Sequence, residues 1–399
     1  MAHYKYLLIG GGMTGDAAVR GIREVDANGS IAMISAEPDP PYKRPPLSKG
    51  LWKDKKLESI WCKTDALGAE LHLGRTVQAV EAENKRVIDD KGSEYTYDRL
   101  LLATGGTPRR LPFGNGDVNY YRTVEDYRRL RDGAEHGGRF AVIGGGFIGS
   151  EVAAALAMNG KEVVMVFPEE SIGLRVFPRE LTEFINDYFR KKGVTLLTGA
   201  TAGGVEEQRG QFSLKVRGLK DGDEHEVLVD GVVAGLGIEP NIVLAQKAGL
   251  EVENGIVVDE FLRTSRPDIF AAGDVAYFAN PALGKRRVEH EDNATTMGRA
   301  AGRNMAGAPE RYDHLPFFYS DLFELGYEAV GELDSRLETV QDWKEPYDEG
   351  VVYYLRDGRV RGVLLWNVWG QLDAARRLIG EPGPFRAENL KGRLPEDAQ

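Results

Sequence analysis

The sequence predicts an α/β protein made of two copies of one βαβ unit, followed by a smaller α+β module. Three observations carry this. Short apolar, β-rich runs alternate with stretches of helical period. Two of the strand-to-helix junctions hold a run of three glycines. After Tyr312 the pattern changes to strands joined by hairpin turns.

Residues 4–9 (Tyr-Lys-Tyr-Leu-Leu-Ile) form the first strand and stop at Gly10-Gly11-Gly12. Met13–Val25 has a helical period, and Ile31–Ile34 is the second strand, so the unit closes within about thirty residues. The pattern returns at Arg139–Ile143, residues 147–159 and residues 162–166, with Gly144-Gly145-Gly146 at the turn. Residues 77–104 alternate apolar and polar around Asp90-Lys91-Gly92, the mark of antiparallel strands. Residues 212–237 do the same around Asp221-Gly222-Asp223. A short buried strand ends in Ala272-Gly273-Asp274. In the last module, residues 330–333, 340–343, 351–355 and 361–366 read as strands, with Asp357-Gly358 as the final hairpin turn. Residues 372–379 read as a helix. Residues 381–399 show little periodicity and are expected to be a poorly ordered tail.

Composition narrows the function. Of 399 residues, 42% are hydrophobic and 28% charged, as in an ordinary globular protein. Lys+Arg at 51 against Asp+Glu at 62 gives a net charge of −11. That opposes nucleic acid or an anionic membrane as the main partner. The best membrane-span candidate, residues 141–158, holds three glycines and Glu151 and is better read as strand, turn and helix. A cytoplasmic protein is expected. Cys62 is the one cysteine, so a disulfide framework or an intrachain redox pair is excluded. Glycine stands out: there are 49, where average usage of about 7% predicts about 28.

The glycine turns carry the chemistry. Gly10-Gly11-Gly12-Met13-Thr14-Gly15 fits G-x-G-x-x-G. Gly10 allows the tight turn, Gly12 the approach of a diphosphate, and Gly15 the packing of helix on strand. The helix N-terminus then offers free N–H groups to the diphosphate. Glu37, after the second strand, is placed to accept from ribose hydroxyls. Gly144, Gly146 and Gly149 repeat the pattern around Phe147 and Ile148, with Glu169 as the ribose carboxylate. A carboxylate there favours NADH, because it would repel a 2′-phosphate. Gly235 and Gly237 form a further turn of the same kind. Two Rossmann-like units imply two dinucleotides, most economically one FAD and one exchangeable NAD(H). No metal site is expected. The proline-stiffened, basic segment 41–49 suits a loop held against a ligand. Arg44 could pair with a diphosphate there, and Lys49 could lie near a flavin ring.

Those residues carry a family resemblance. Tyr42 to Lys49, both glycine turns, the run from Ala103 through Thr104, Gly105 and Gly106 to Arg109, and Ala272-Gly273-Asp274 resemble FAD-dependent NADH:ferredoxin reductases, the group that includes rubredoxin and putidaredoxin reductases. Phe167-Pro168-Glu169, Arg286 to Asp292, Gly326 to Ala329 and Leu365-Trp366-Asn367 are similar to the apoptosis-inducing-factor branch of that group. The resemblance runs from Tyr6 to Ile379.

It implies a glutathione-reductase-like fold. Residues 1–113 and 251–309 would bind FAD, 114–250 would bind NAD, and 310–380 would form the C-terminal domain. Arg44 would touch the FAD diphosphate, Thr104 and Gly105 would line the flavin, and Asp274 would bind the ribitol. Lys49 would sit by flavin N5 and pair with Glu151, where an ammonium stabilises negative charge on a reduced flavin and needs a carboxylate partner. Glu289 and His290 would lie near the flavin's pyrimidine end and the nicotinamide. Phe147 would lie where the nicotinamide nucleotide stacks, and Glu328 would accept from its carboxamide. Three features depart from the family. Its ribose carboxylate falls one position earlier, at Ala36. Tyr319 stands where it usually has a tryptophan by the flavin. The branch's long C-terminal insertion is replaced by the short stretch from Trp343 to Gly350, and no leader is expected.

The expected activity is hydride transfer from NADH to flavin N5 and onward passage of electrons. The acceptor would be an iron–sulfur protein, a quinone or an artificial oxidant. The alternative is a redox-responsive protein in which slow NADH oxidation switches conformation or dimerisation. Monomer and homodimer are both open. A disulfide reductase is a poor third reading, since Cys62 lies beyond the proline-rich loop and reads as structural.

Overall fold

The computed structural model describes residues 2–114 and 116–394. They gather into two compact units. The first takes in the chain up to Arg44, Lys56–Thr107 and Glu239–Phe318. The second takes in Pro45–Lys55, Pro108–Ile238 and the chain from Tyr319 onward.

In the first unit, strand Ala2–Ile9 runs parallel to Ile31–Ile34 on one side and to Glu94–Leu102 on the other. Ala69–His72 extends the sheet at one edge, and Ile269–Ala271 pairs with the end of Glu94–Leu102. Every side chain of Ile31–Ile34 and of residues 6–9 is buried. Strands covered on both faces read as unbroken apolar runs for this reason. Val77–Glu81, Arg86–Asp89 and Glu94–Leu102 form the expected antiparallel ladder. Helix Met13–Val25 packs on helix Glu291–Met305 with almost no space between backbones. A Cβ on Gly21 would lie 2.1 Å from the Arg299 carbonyl oxygen, and one on Gly302 would lie 2.1 Å from that of Ala18. Part of the glycine surplus therefore serves helix packing, not nucleotide turns.

The second unit holds five parallel strands in the order Val194–Thr198, Glu162–Phe167, Arg139–Ile143, Gly231–Ala234 and Val118–Tyr120. Helix Phe147–Met158 is buried from Gly149 to Leu156, and its alanines let it lie close on the sheet. Helix Val124–His136 begins in a capping box, Thr123 with Asp126. Helix Arg179–Lys191 buries Leu181, Ile185 and Phe189 on one face.

The C-terminal sheet runs Phe317–Leu322, Leu325–Gly331, Arg359–Trp366, Glu349–Arg356, Glu338–Glu345, with helix Leu372–Gly380 against its middle strands. Its strands are longer than the sequence suggested, and Phe317–Leu322 is an additional one. The tail departs from expectation. Helix Ala387–Leu390 buries Leu390 fully, Leu394 is 6% exposed, and the Gly392 N–H donates to Asp342 at 2.7 Å. Isolated apolar residues at irregular spacing anchor this segment, so no periodicity announced it. Residues 395–399 of the expected tail lie outside the described residues. Among the described residues no helix is long and apolar enough to cross a membrane.

Candidate active site

Each glycine turn is built from backbone contacts that exclude a side chain. In the first unit Gly10 has φ +121°, and a Cβ there would lie 2.1 Å from the Ala103 carbonyl oxygen. A Cβ on Gly15 would lie 2.4 Å from the Gly10 carbonyl oxygen. Gly12 is different: a Cβ on it would meet nothing within 4 Å. The helix that follows has no side-chain N-cap, and its first-turn acid, Asp16, is engaged by Arg20 and Thr64. Open space beside an uncapped helix N-terminus suits a diphosphate.

The second unit repeats this geometry. A Cβ on Gly144 would lie 2.5 Å from the Gly235 carbonyl oxygen, one on Gly149 would lie 2.0 Å from that of Gly144, and one on Gly146 would meet nothing. The helix again lacks a side-chain cap and has no acid in its first turn. Phe147 is half-buried and Ile148 is 41% exposed, so an apolar surface stands at the mouth of the turn. Gly237 has φ +80°, and its carbonyl accepts from the Arg109 N–H at 3.0 Å. Both cradles fit a dinucleotide diphosphate by shape and by unmet donors.

Around the first cradle, Glu37, Tyr42 and Arg44 form one cluster. Arg44 Nη2 lies 2.5 Å from Glu37 Oε1, and the Tyr42 hydroxyl donates to Oε2 at 2.5 Å. Glu37 and Arg44 were expected at separate parts of the ligand, and the fold brings them into contact. Thr104 and Gly105 are tied to Asn241, a residue the sequence did not single out. The Thr104 hydroxyl donates to the Asn241 carbonyl at 3.0 Å, and the Asn241 N–H donates to the Gly105 carbonyl at 3.0 Å. Gly273, before Asp274, has φ +76°, and a Cβ there would strike Thr14 Oγ1 at 2.2 Å. Arg287 donates to the Asp274 carbonyl and pairs with Glu289 at 2.6 Å.

His290 occupies the N-cap of helix Glu291–Met305 and stacks on Phe318 with ring centroids 4.4 Å apart. Burial pushes its imidazole down to about 4, against the opposite pull of Asp274 and Asp292. It is neutral at pH 7. Cys62 is pushed up to about 12, first by burial and then by Asp16, so it is a thiol and not a nucleophile.

The second unit holds the most enclosed ion pair of the expected site. Lys49 Nζ lies 2.6 Å from Glu151 Oε1, with side chains 12% and 4% exposed. The Ser320 hydroxyl donates to the same oxygen at 2.6 Å, and the Ser48 hydroxyl donates to Oε2 at 2.5 Å. The Tyr319 ring lies beneath the ammonium, 5.0 Å away. The loop bearing Lys49 is anchored at both ends. Trp52 Nε1 and the Tyr121 hydroxyl both donate to the Leu47 carbonyl, and Asn159 donates to the Trp52 carbonyl. Neither serine was visible as a site residue in the sequence, because a lone serine carries no spacing signal.

At the end of strand Glu162–Phe167, Glu169 pairs with Arg175 at 2.6 Å, and Arg175 is 83% exposed. Glu328 Oε2 is buried without a hydrogen-bond partner, and burial raises its carboxyl, opposed by Arg376. An unmet buried acceptor suits a ligand that brings donors, such as a carboxamide.

Comparison with known proteins agrees with this geometry. Residues 4–298 match the family described as pyridine nucleotide-disulphide oxidoreductase. Residues 301–346 and 341–381 match the one described as apoptosis-inducing factor, mitochondrion-associated, C-term. The chain is 36% identical to apoptosis-inducing factor 1, mitochondrial, of Dictyostelium discoideum, over 94% of this chain and 78% of that protein. It is 35% identical to the ferredoxin–NAD(+) reductase component of the anthranilate 1,2-dioxygenase system of Burkholderia cepacia, over 94% and 93%. The structure is similar to the reductase in the covalent putidaredoxin reductase–putidaredoxin complex, with a TM-score of 0.85 and 31% identity over 94% and 92% of the two chains.

Proposed function

The chain belongs to the pyridine nucleotide-disulphide oxidoreductase family and is an FAD-dependent NAD(P)H oxidoreductase, and from that premise we propose that it oxidises NADH and hands the electrons to a small protein carrier of the ferredoxin type. Bound FAD supplies the chemistry, taking a hydride at N5 and releasing electrons one at a time. The protein's part is to bind, orient and tune. The family name carries a disulphide, but this chain has a single cysteine, with an unreactive thiol, and thiol relay has no place in its cycle.

The observation that carries the reading is the twice-built open glycine cradle, one in each unit. In the proposal, Gly10, Gly12 and Gly15 receive the FAD diphosphate, with the Glu37–Arg44 cluster along the adenosine side and Asp274 at the ribitol. Thr104, Gly105, Glu289, His290 and Tyr319 border the flavin. Gly144, Gly146 and Gly149 receive the nicotinamide dinucleotide, with Phe147, Ile148 and Gly237 around it. Glu169 accepts from its ribose hydroxyls and repels a 2′-phosphate, which favours NADH. Glu328 accepts from the carboxamide. Lys49, held by Glu151, would offer its ammonium to the negative charge of a reduced flavin. A neutral His290 adds no competing charge.

The carrier is supported by the relatives: one is named for ferredoxin and another was solved joined to putidaredoxin. An anaerobic acceptor screen tests it. NADH should bleach the flavin, and added ferredoxin should restore its colour at a rate matching turnover. A second reading is favoured by the C-terminal match to apoptosis-inducing factor: NADH would act as a signal that alters conformation or association. Sedimentation with and without NADH separates the two, because a carrier reductase keeps one oligomeric state through its cycle.

A further inference from the structure

The Lys49–Glu151 pair does not stand alone, and its additional partners come from distant parts of the second unit. Glu151 is at the fifth position of helix Phe147–Met158. Ser48 precedes Lys49 in the proline-stiffened loop. Ser320 is on strand Phe317–Leu322 of the C-terminal sheet. Three donors therefore converge on one buried carboxylate: Lys49 and Ser320 on Oε1, Ser48 on Oε2. Ser48 and Ser320 are 5% and 1% exposed, so water does not substitute for either hydroxyl.

Ser320 has one hydroxyl hydrogen, and the carboxylate can only accept, so that hydrogen goes to Glu151. The strand bearing Ser320 pairs in the C-terminal sheet with Leu325–Gly331, which carries Tyr327. Tyr327 is 1% exposed, and its ring stacks on Trp366 at 5.7 Å and meets Phe177 edge-on at 5.3 Å. The packed sheet thus holds Ser320, Ser320 holds the carboxylate, and the carboxylate holds the ammonium.

We propose that Ser320 is a positioning residue for hydride transfer: the C-terminal sheet reaches through the Ser320–Glu151 hydrogen bond to hold the Lys49 ammonium where it tunes the flavin. Ser48 performs the same task on the second carboxylate oxygen. The inference rests on the proposed function for the place of Lys49 beside the flavin. It assigns the C-terminal module a part in the chemistry of the reductive step, separate from any role in docking a carrier.

The test uses FAD-loaded Ser320→Ala, Ser48→Ala and the double variant, with three readouts besides turnover. These are FAD content, the acetylation rate of Lys49 measured by peptide mass spectrometry, and the flavin midpoint potential. Ser320→Ala should keep its FAD, acetylate faster at Lys49 and show a more negative potential. Its flavin should be reduced by NADH about tenfold more slowly, the size expected for one lost hydrogen bond to a charged group. Ser48→Ala should move all readouts the same way, and the double variant should exceed either single one, since the two hydroxyls hold different oxygens of one carboxylate. Should Ser320→Ala fail to fold, Ser48→Ala takes its place with the same expected direction. Wild-type acetylation or wild-type potential in a folded Ser320→Ala would overturn the proposal. Absence of flavin reduction by NADH in the wild-type protein would instead sink the proposed function, and the acetylation readout separates that case.

Discussion

Replacing Glu151 by leucine should destabilise the protein far more than replacing Glu151 and Lys49 together. Glu151→Leu leaves the Lys49 ammonium 12% exposed with its carboxylate gone, and stranding one member of a buried ion pair costs about 3–5 kcal/mol. The two serine hydroxyls also lose their acceptor, about 1 kcal/mol each, so at about 2–4 °C per kcal/mol for a domain of this size the melting temperature should fall by about 10–28 °C. In Lys49→Met/Glu151→Leu no charge is stranded, and an apolar pair of similar volume is neutral or better. The remaining deficit is the two serine hydroxyls that lose their acceptor, about 1 kcal/mol each. The double variant should therefore melt within about 4–8 °C of wild type. Its flavin reduction by NADH should stay as impaired as that of Lys49→Ala, which keeps FAD. Differential scanning calorimetry and anaerobic stopped-flow mixing read the two effects separately. A double variant as unstable as the single one would refute the buried-pair reasoning. A double variant with wild-type flavin reduction would refute the role at N5.

Other outcomes follow from the same geometry. Glu169→Ala should raise the KM for NADH by about tenfold, the worth of a charge-assisted hydrogen bond, and narrow the gap to NADPH; an unchanged NADH/NADPH ratio in steady-state kinetics would reject the ribose assignment. Gly12→Ala should fold normally and lose FAD, because its Cβ meets no protein atom, whereas Gly10→Ala should fail to fold, with its Cβ 2.1 Å from a carbonyl oxygen and φ +121°. Circular dichroism with bound-flavin absorbance distinguishes these, and FAD retention in Gly12→Ala would speak against the cradle. His290, pushed down to about 4 in the fold from about 6.5 in an unfolded chain, makes the unfolded state bind more protons between those values. Its contribution to stability is complete above pH 6.5 and is lost as pH falls toward 4. Denaturant titrations of His290→Gln should show a flatter pH dependence in that window, and an unaltered slope would contradict the burial of a neutral ring.

The repeated βαβ units were legible because two strong local signals coincide there. Helix Met13–Val25 and strands Ile31–Ile34 and Arg139–Ile143 have the bounds the periodicity predicted, since Gly10 and Gly144 mark where each strand must stop. Helix Glu291–Met305 gave no such signal. Its packing face is made of Gly298, Ala301 and Gly302, small residues that permit close backbone approach and leave no amphipathic pattern. The tail was misread for a related reason: Leu390 and Leu394 are buried by tertiary contacts alone. In the site, the diphosphate cradles follow from motif spacing. Lys49 and Glu151 lie 102 positions apart, and no spacing rule joins them. Their pairing came from family resemblance, and the fold added Ser48 and Ser320. Glu37 and Arg44 looked like two ligands because sequence shows residue types, while only the folded turn shows that they touch.

The most direct test of the central claim is anaerobic mixing of the purified protein with NADH deuterated at the transferred position, with flavin absorbance as the signal. Rapid bleaching is expected, slowed by a primary isotope effect, with recovery of the flavin colour when oxidised ferredoxin is added. A protein that carries no flavin, or whose flavin keeps its absorbance in excess NADH, would contradict it.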